Sequence, residues 1–179
     1  MRRAAAPPSP PSDVDAAADR AVGGLRLRAL TAAALPAVLA LETDPATSQH
    51  RPGGPPSQAE VAAQLDGWVR TWREHGTGYW LAELDGRPVG LAGLRPLTLQ
   101  GRACWNLYYR FSPAVWGRGL ATTAAREAVA LARSRTPALP VVARTRPAND
   151  AAVRVAERAG LLRRPDLDAE GFLVLACDW

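Results

Sequence analysis

Two closely spaced glycines mark the place where an aromatic, strand-like segment gives way to an alanine-rich helical pattern. The aromatic segment covers residues 105–111, and the helical pattern covers residues 121–133. Glycine lacks a Cβ, so the backbone can approach a ligand closely, and the start of a helix presents free N–H groups with a partial positive charge. The arrangement predicts a phosphate site, more narrowly a pyrophosphate site, over residues 117–122. The segment consists of Trp116, Gly117, Arg118, Gly119, Leu120, Ala121 and Thr122.

Other interpretations of these glycines are weaker. A dinucleotide-binding G-x-G-x-x-G motif needs glycine where Thr122 stands, and it needs an acidic residue in the next strand, which residues 139–143 do not supply. A P-loop is excluded because the chain has no Gly-Lys-Ser/Thr triplet. A glycine-rich turn that binds no ligand remains the alternative.

Length and composition limit the classes of function. The 179 residues suffice for one domain, or for one domain with a tail, and no apolar run approaches the ~18 residues needed to span a bilayer. The first residues lack the apolar segment of a secretory signal, and two cysteines and two histidines indicate neither a disulfide framework nor a zinc site. We therefore expect a cytoplasmic protein that holds no metal and does not contact a membrane.

The basic residues point to an anionic partner only weakly. All 22 of them are arginine, and the formal net charge is +5. They are spread along the whole chain, which is also rich in Ala, Pro and Gly, so codon bias accounts for much of the pattern. Nucleic-acid binding is therefore not expected, and a coenzyme phosphate explains part of the surplus equally well.

The pattern along the chain predicts helices that interrupt a mainly antiparallel meander, which is an α/β layer structure. Residues 1–20 are rich in proline and poor in large apolar side chains, so we expect a disordered tail before a single domain over residues 21–179. Predicted strands cover residues 25–30, 79–84, 89–94, 103–111, 139–143 and 172–176. Predicted helices cover residues 32–41, 58–76, 121–133 and 149–160, and residues 43–56 are a predicted loop. The clearest local signals are the capping box of Ser57 and Glu60 and the hairpin turn of Asp85 and Gly86.

Two motifs, in the expected order, resemble the GNAT family of N-acetyltransferases. The coenzyme A loop of that family is similar to residues 109–122, and the branch that these residues resemble most contains the ribosomal-protein N-terminal acetyltransferases. Further along the chain, the second motif of the family is similar to the stretches Asn149-Asp150-Ala151-Ala152-Val153 and Glu157-Arg158-Ala159-Gly160-Leu161. The resemblance covers residues 25–179.

The resemblance implies a GNAT fold, in which about four helices flank a mostly antiparallel sheet of about six or seven strands. It implies acetyl-CoA as the acetyl donor and a primary amine as the acceptor, on either a protein N-terminus or a small molecule. It is also compatible with a homodimer, since dimers are common in the family.

The coenzyme contacts implied by the resemblance fall on the loop and on the elements beside it. Backbone groups near Tyr109 and Phe111 would pair with the pantetheine arm, and N–H groups of residues 117–122 would hold the pyrophosphate. Four side chains are implied as further contacts: Thr122 as a hydroxyl donor, Arg118 and Arg158 beside phosphate, and Asn149 at the pantetheine arm or the acceptor amine. The two arginines also fit ordinary surface charges, and Asn149 also fits a plain helix cap.

The chain departs from the family where proton transfer is concerned. Counting back from Pro113 places Asn106 where many relatives carry a glutamate base, and an amide cannot act as a base. Tyr108 lies on the strand face that it shares with Asn106, and Ala152 replaces a serine of the second motif. We take Asn106, Tyr108 and Asn149 as the candidates for the reacting centre. Other possible bases, each of which also fits an ordinary surface residue, are Glu42, Asp44, Glu83, His50 and His75. The alternative to an acetyltransferase is an acyl-CoA-binding module without turnover.

Overall fold

An eight-stranded sheet forms the centre of the computed structural model, which describes residues 19–49, 51 and 53–179. The strands are β1 (Arg20–Val22), β2 (Leu25–Ala29), β3 (Tyr79–Leu84), β4 (Arg87–Leu99), β5 (Arg102–Phe111), β6 (Val141–Thr145), β7 (Leu162–Arg163) and β8 (Leu173–Cys177). They lie in the order β1-β2-β3-β4-β5-β6-β8-β7. Neighbouring strands are antiparallel except β5 and β6, which run parallel.

Five helices accompany this sheet in the described part of the chain. They are α1 (Leu35–Glu42), α2 (Pro45–Ser48), α3 (Gln58–His75), α4 (Leu120–Arg135) and α5 (Asp150–Arg158). Short 3-10 turns cover Ala32–Ala34, Pro113–Val115 and Pro165–Leu167. None of the helices in the described ranges is long and apolar enough to cross a membrane.

Buried apolar side chains on both faces of the sheet hold the helices in two layers. Leu107 of β5 belongs to the cluster that contains Ala124 of α4 and further alanines of α4 and α5. Tyr79 of β3 belongs to a second cluster, with Val38 of α1 and Val61 of α3. Since alternate side chains of a strand point to opposite faces, β5 presents one set of residues to the layer of α4 and α5 and the other set to the layer of α1 and α3.

The local signals at α3 and at the β3–β4 turn are confirmed. Ser57 Oγ accepts a hydrogen bond from Glu60 N–H (3.3 Å), and Ser57 N–H donates to Glu60 Oε2 (2.7 Å). The helix ends at Gly76, whose φ of 63° is left-handed. Asp85 and Gly86 have φ values of 50° and 73°, as a two-residue turn between twisted strands requires.

The predicted α/β layers with a mostly antiparallel sheet are confirmed, with one more helix and one or two more strands than expected. The additional strands are β1 and β7, which have three and two residues and are too short to show a period in the sequence. β6 begins at Val141 rather than at residue 139. Residues 1–18 of the predicted tail lie outside the described residues, whereas Arg20, which the sequence placed in the tail, begins β1.

The predicted loop over residues 43–56 contains a helix, α2. Asp44 Oδ1 accepts a hydrogen bond from Ala46 N–H (2.9 Å), and Pro45 occupies the first helical position. Asp followed by Pro can start a helix as well as a turn. The prolines and glycines that follow favoured the prediction of a loop. That interpretation was wrong for the first turn of the segment.

Candidate functional site

A cleft opens where β5 and β6 separate. The two strands pair at Trp105 with Val141 and at Asn106 with Val142, and their register ends there. The cleft has a volume of about 530 Å³, and its walls come from the end of β5, the start of α4, β6, α5 and the segment at α2. It therefore lies between the strands predicted over residues 103–111 and 139–143.

Main-chain groups of alternate β5 residues point into this gap. Trp105 N–H donates to the carbonyl of Pro140 (2.8 Å), on the β6 side of β5. Residues at the same parity, namely Leu107, Tyr109 and Phe111, therefore direct their N–H and C=O groups toward the β6 side. No residue of β6 is in register with them. This edge of β5 is open to a ligand that pairs like an added strand.

The start of α4 presents N–H groups that lack an intrahelical acceptor. Gly119 is the N-cap, and the first bond of the helix runs from Thr123 N–H to the Gly119 carbonyl (3.0 Å), so the N–H groups of residues 120–122 precede it. Gly117 and Gly119 have φ values of 77° and 76°, and a Cβ at either position would meet no heavy atom within 4 Å. The glycines thus border open space at the positive end of a helix, which is a physical basis for anion binding.

Trp116 fixes this loop to the end of β5. Its indole Nε1 donates to the carbonyl of Phe111 (2.7 Å), and 52% of its surface stays exposed beside the cleft. The Phe111 side chain is buried. The main-chain carbonyl oxygen of Phe111 keeps one lone pair for a second donor. The tryptophan therefore sets the position of the two glycines while presenting an aromatic surface to a ligand.

Tyr109 and Asn149 fix the start of α5 on the opposite wall. The Tyr109 hydroxyl donates to the Ala152 carbonyl (2.5 Å), and Asn149 Oδ1 accepts from Ala152 N–H (3.1 Å), which caps α5. Burial raises the pKa of Tyr109, so its hydroxyl stays protonated and able to donate. Asn149 acts as the helix cap that the sequence allowed for, and it also lines the cleft.

Arginine supplies all the charged side chains among the described residues of the cleft lining. They are Arg51, Arg110, Arg144, Arg146, Arg154 and Arg158. Arg158 therefore lines the cleft, whereas Arg118 is exposed on the loop and does not line it. Arg154 was not predicted from the sequence, although its spacing of four residues from Arg158 on a helix places both on one side.

A buried carboxylate lies behind the cleft. The Tyr108 hydroxyl donates to Glu42 Oε1 (2.6 Å) and accepts from Arg110 Nε (2.7 Å), while Arg51 lies 3.3 Å from Glu42 Oε2. Glu42 is 1% exposed, so the expectation that it is a surface residue was wrong. Burial, and next the negative charge of Glu42, raises the pKa of Tyr108 well above its ordinary value. Tyr108 lines the cleft and connects it to this carboxylate.

The remaining candidates within the described ranges do not line the cleft. Asn106 is buried, its amide donates to the Leu107 carbonyl (3.4 Å), and it does not line the cleft. Three others make different contacts: Glu83 pairs with Arg28, Asp44 caps α2 and His75 packs against Trp105. His50 lies outside the described residues. The structure thus brings together most of the residues predicted for the reacting centre or for the coenzyme. These are Tyr108, Tyr109, Phe111, Trp116, Gly117, Gly119, Leu120, Ala121, Thr122, Asn149 and Arg158.

Comparison with known proteins connects this cleft to a family. A family model of the acetyltransferase (GNAT) domain matches residues 24–162. The chain belongs to the GNAT acetyltransferase family. The family resemblance predicted from two sequence motifs is confirmed, and so is the GNAT fold that it implied.

Solved structures share the GNAT fold at low sequence identity. An acetyltransferase from Agrobacterium tumefaciens strain C58 is 23% identical with a TM-score of 0.77, and the match covers 98% of this chain and 99% of that one. The ribosomal L7/L12 alpha-N-protein acetyltransferase RimL, solved with coenzyme A, is 17% identical with a TM-score of 0.71 over 87% of this chain and 94% of that one. At these identities the likeness shows the fold. The family therefore includes homologues that bind coenzyme A in this architecture.

One curated relative is an uncharacterised protein of Bacillus subtilis strain 168, YkkB. It is 29% identical to this GNAT chain over 100 residues, which cover 52% of this chain and 58% of that protein. The match thus spans less than two thirds of the relative's length.

Proposed function

We propose that this protein is an N-acetyltransferase that moves an acetyl group from acetyl-CoA directly to a primary amine of a protein N-terminus or a small molecule. The observation that carries the proposal is the start of α4. There, N–H groups without intrahelical acceptors and two left-handed glycines open onto a cleft lined by arginine. Membership of the GNAT family supplies the reaction class.

Each polar group along the coenzyme would meet hydrogen-bonding or charged groups of the cleft. Its pyrophosphate would accept hydrogen bonds from the N–H groups of residues 117–122, with the Thr122 hydroxyl as a further donor. The pantetheine amides would pair with the open main-chain edge of β5 near Tyr109 and Phe111. Arg154 and Arg158 on α5 are the cations available for the nucleotide phosphate, and neither forms an ion pair with an acidic residue in the described ranges.

Acetyl transfer would take place where β5 and β6 separate. The neutral amine attacks the thioester carbonyl, a C–N bond forms, the C–S bond breaks, the amine nitrogen loses a proton and the thiolate gains one. No carboxylate or imidazole of the described lining is placed to accept the amine proton. Orientation of the two substrates alone supplies roughly 7–11 kcal/mol in favourable cases. Water would then carry the proton. The Tyr108 hydroxyl donates its single proton to Glu42, so it would orient the amine as a hydrogen-bond acceptor.

Release of coenzyme A tests the proposal. Acetyl-CoA is incubated with the protein and a panel of amines and N-terminal peptides, and free thiol is measured over time. We expect at least one acceptor to increase thiol release above the rate without acceptor, together with the mass increase of one acetyl group on that acceptor.

A second candidate function is an acyl-CoA-binding module without turnover. Asn106 at the position of the family glutamate and the absence of a carboxylate from the described cleft lining favour it. Tight binding of acetyl-CoA with no thiol release from any acceptor would support the module and contradict the transferase.

A further inference from the structure

The charge of the cleft differs from that of the rest of the protein. Six arginines line the cleft, and none of its lining residues in the described ranges is Asp, Glu or His. Over the whole chain, 22 arginines are largely balanced by 17 acidic residues. A coenzyme on the α4–α5 side does not account for all six, because they fall into two groups.

Strand alternation separates the two groups. Asn106 and Val142 are paired neighbours, so their side chains lie on the same face of the sheet. Arg110 lies four residues after Asn106 on β5, and Arg144 lies two residues after Val142 on β6. Each arginine therefore has its side chain on the same face as that residue. Both arginines therefore lie on the face opposite to Leu107, which packs against the layer of α4 and α5. Arg154 and Arg158 of α5 form the other group, on the side of residues 117–122.

We call the first group the far-face arginines: Arg51, Arg110, Arg144 and Arg146. Protein contacts hold them in place. The guanidinium carbons of Arg144 and Arg146 lie 4.6 and 3.9 Å from the centre of the Phe172 ring. Arg146 Nη1 also donates to the carbonyls of Glu170 (3.0 Å) and Gly171 (3.1 Å). Such stacked, hydrogen-bonded guanidinium groups lose little entropy when they bind an anion.

Acidic residues neutralise only part of this group. The carboxylate of Glu42 forms ion pairs with both Arg51 and Arg110. Glu170, which is mostly exposed, pairs with Arg144 (3.1 Å). Arg146 binds carbonyl oxygens and an aromatic ring, and none of the ion pairs in the described ranges includes it. A guanidinium with free N–H groups is suited to a carboxylate, which it can bind through two hydrogen bonds.

We propose that the acceptor amine belongs to a molecule with a carboxylate or similar anionic group close to the amine, and that the far-face arginines bind that group. The inference rests on the proposed function, since it assigns the second substrate of the same cleft. The coenzyme and the acceptor approach the gap between β5 and β6 from opposite faces of the sheet. Polyamines and amino sugars are disfavoured, because like charges would meet in the cleft. An acidic peptide N-terminus and a free acidic amino acid share the required chemistry.

Matched acceptors test this preference. Peptides with the same first residue carry Asp, Gln or Lys at the next three positions, and free aspartate and spermidine are tested beside them by thiol release. We expect kcat/KM for the Asp peptide to exceed that for the Lys peptide by roughly tenfold or more at low salt, with a smaller ratio at high salt. Equal or better use of the Lys peptide or spermidine would overturn the inference. The ratio of the Asp peptide to free aspartate identifies which source of the anionic amine is used.

Variants assign the preference to the far face. Arg144→Gln should lower kcat/KM for the Asp peptide about fivefold or more, while KM for acetyl-CoA stays the same. Arg51→Gln should also lower kcat/KM for the Asp peptide. Arg51 pairs with Glu42, so this variant leaves the contacts of residues 170–171 with Arg144 and Arg146 intact. The matched control is Arg87→Gln, which removes an exposed arginine of β4 outside the cleft and should change neither value. Loss of the acidic preference in Arg87→Gln, or its retention in both cleft variants, would contradict the assignment.

A binding measurement separates failure of this inference from failure of the proposed function. Fluorescently labelled Asp and Lys peptides are titrated with protein saturated with coenzyme A, and anisotropy is recorded. Preferential binding of the Asp peptide supports the inference even if no acceptor is acetylated, which would refute the transferase alone. Equal binding, together with acetylation of both peptides, would refute the inference and leave the transferase in place.

Discussion

Gly119 combines a left-handed backbone with open space at its α-carbon. Its φ is 76°, and no heavy atom lies within 4 Å of a Cβ built there. Aspartate tolerates this conformation better than most residues, so the side chain can be accommodated by the protein itself. The same side chain would place a carboxylate at the start of α4, where the pyrophosphate is proposed to bind.

We predict that Gly119→Asp lowers the affinity for acetyl-CoA by about tenfold or more, because it adds both bulk and like charge. Isothermal titration calorimetry measures the affinity. Gly101→Asp is the matched control, since Gly101 has a φ of 79°, has no heavy atom within 4 Å of its Cβ position and lies outside the cleft. An unchanged affinity in folded Gly119→Asp would refute the phosphate site.

Tyr108 is the residue that joins the cleft to the buried Glu42. Tyr108→Phe removes one hydroxyl that donates to the carboxylate and accepts from Arg110. We predict a fall in kcat of roughly tenfold, with KM for acetyl-CoA unchanged, and a loss of about 1 kcal/mol in unfolding free energy. Steady-state kinetics and urea unfolding measure these quantities. A variant with unchanged kcat and lower stability would assign the hydroxyl a structural role only.

At the scale of one helix, the capping box of α3 tests the link between sequence and stability. Ser57→Ala removes the oxygen that accepts from Glu60 N–H, and we predict a loss of about 1 kcal/mol in unfolding free energy. Gln58→Ala, at the exposed next position, is the control and should change stability little. Urea unfolding measures both. Acetyl-CoA binding should be the same in both variants, because neither position lines the cleft.

The segment between β7 and β8 carries a pH dependence. Asp168 Oδ1 accepts from Arg163 Nη1 (2.7 Å) and from Val174 N–H (2.9 Å), and the Arg163 guanidinium holds the pKa of Asp168 below its ordinary value. A carboxyl whose pKa is lowered by folding stabilises the protein above its unfolded pKa, and this stabilisation is lost as the pH falls through the folded value.

We therefore predict that Asp168→Asn lowers the unfolding free energy at neutral pH. Its difference from the unmodified protein should shrink as the pH falls below the ordinary pKa of aspartate and through the lower folded value. Chemical unfolding at a series of pH values measures the difference. Asp66→Asn, at an exposed position of α3, is the control for loss of one negative charge. A difference that grows toward acid pH would contradict the sign of this linkage.

Elements with strong local signals could be predicted from the sequence, and elements defined by tertiary contacts could not. The Ser57 capping box and the Asp85-Gly86 turn each specify their own backbone geometry. β1 and β7 exist only because neighbouring strands pair with them, and so few residues carry no period. Glu42 ends α1 beside apolar residues, and nothing nearby in sequence indicates that Tyr108 and Arg110 will enclose it.

For the molecule as a whole, the close approach of β3 and β4 limits which residues the sheet can accept. A Cβ at Gly93 would lie 2.1 Å from the Gly78 carbonyl oxygen and 2.7 Å from the Tyr79 Cα, and its φ is 144°. These neighbours are backbone atoms of a central strand region, so they cannot move without displacing the packing of both layers. Glycine is therefore required here by both space and conformation.

We predict that Gly93→Ala lowers the unfolding free energy by about 3 kcal/mol or more, or prevents folding. Gly101→Ala is the comparison, because it has a left-handed φ but open space, and it should cost only about 1 kcal/mol. Thermal and urea unfolding measure the two losses. Equal losses would mean that the close contact between β3 and β4 is relieved by small shifts.

The candidate site could be predicted in its coenzyme half and only in part in its acceptor half. The loop before α4 is contiguous, so residues 117–122 were recognisable as a candidate phosphate site from glycine spacing next to a helix pattern. The far-face arginines lie after α2, on β5, on β6 and just after β6, and these segments are far apart in sequence. Only the fold brings Arg51 and Arg146 to the same cleft.

A crystal structure of the complex with acetyl-CoA tests the central claim most directly. We expect the pyrophosphate to accept hydrogen bonds from N–H groups of residues 117–122, with the pantetheine arm between β5 and β6. A coenzyme bound elsewhere, with side chains filling the space before Gly117 and Gly119, would contradict the account.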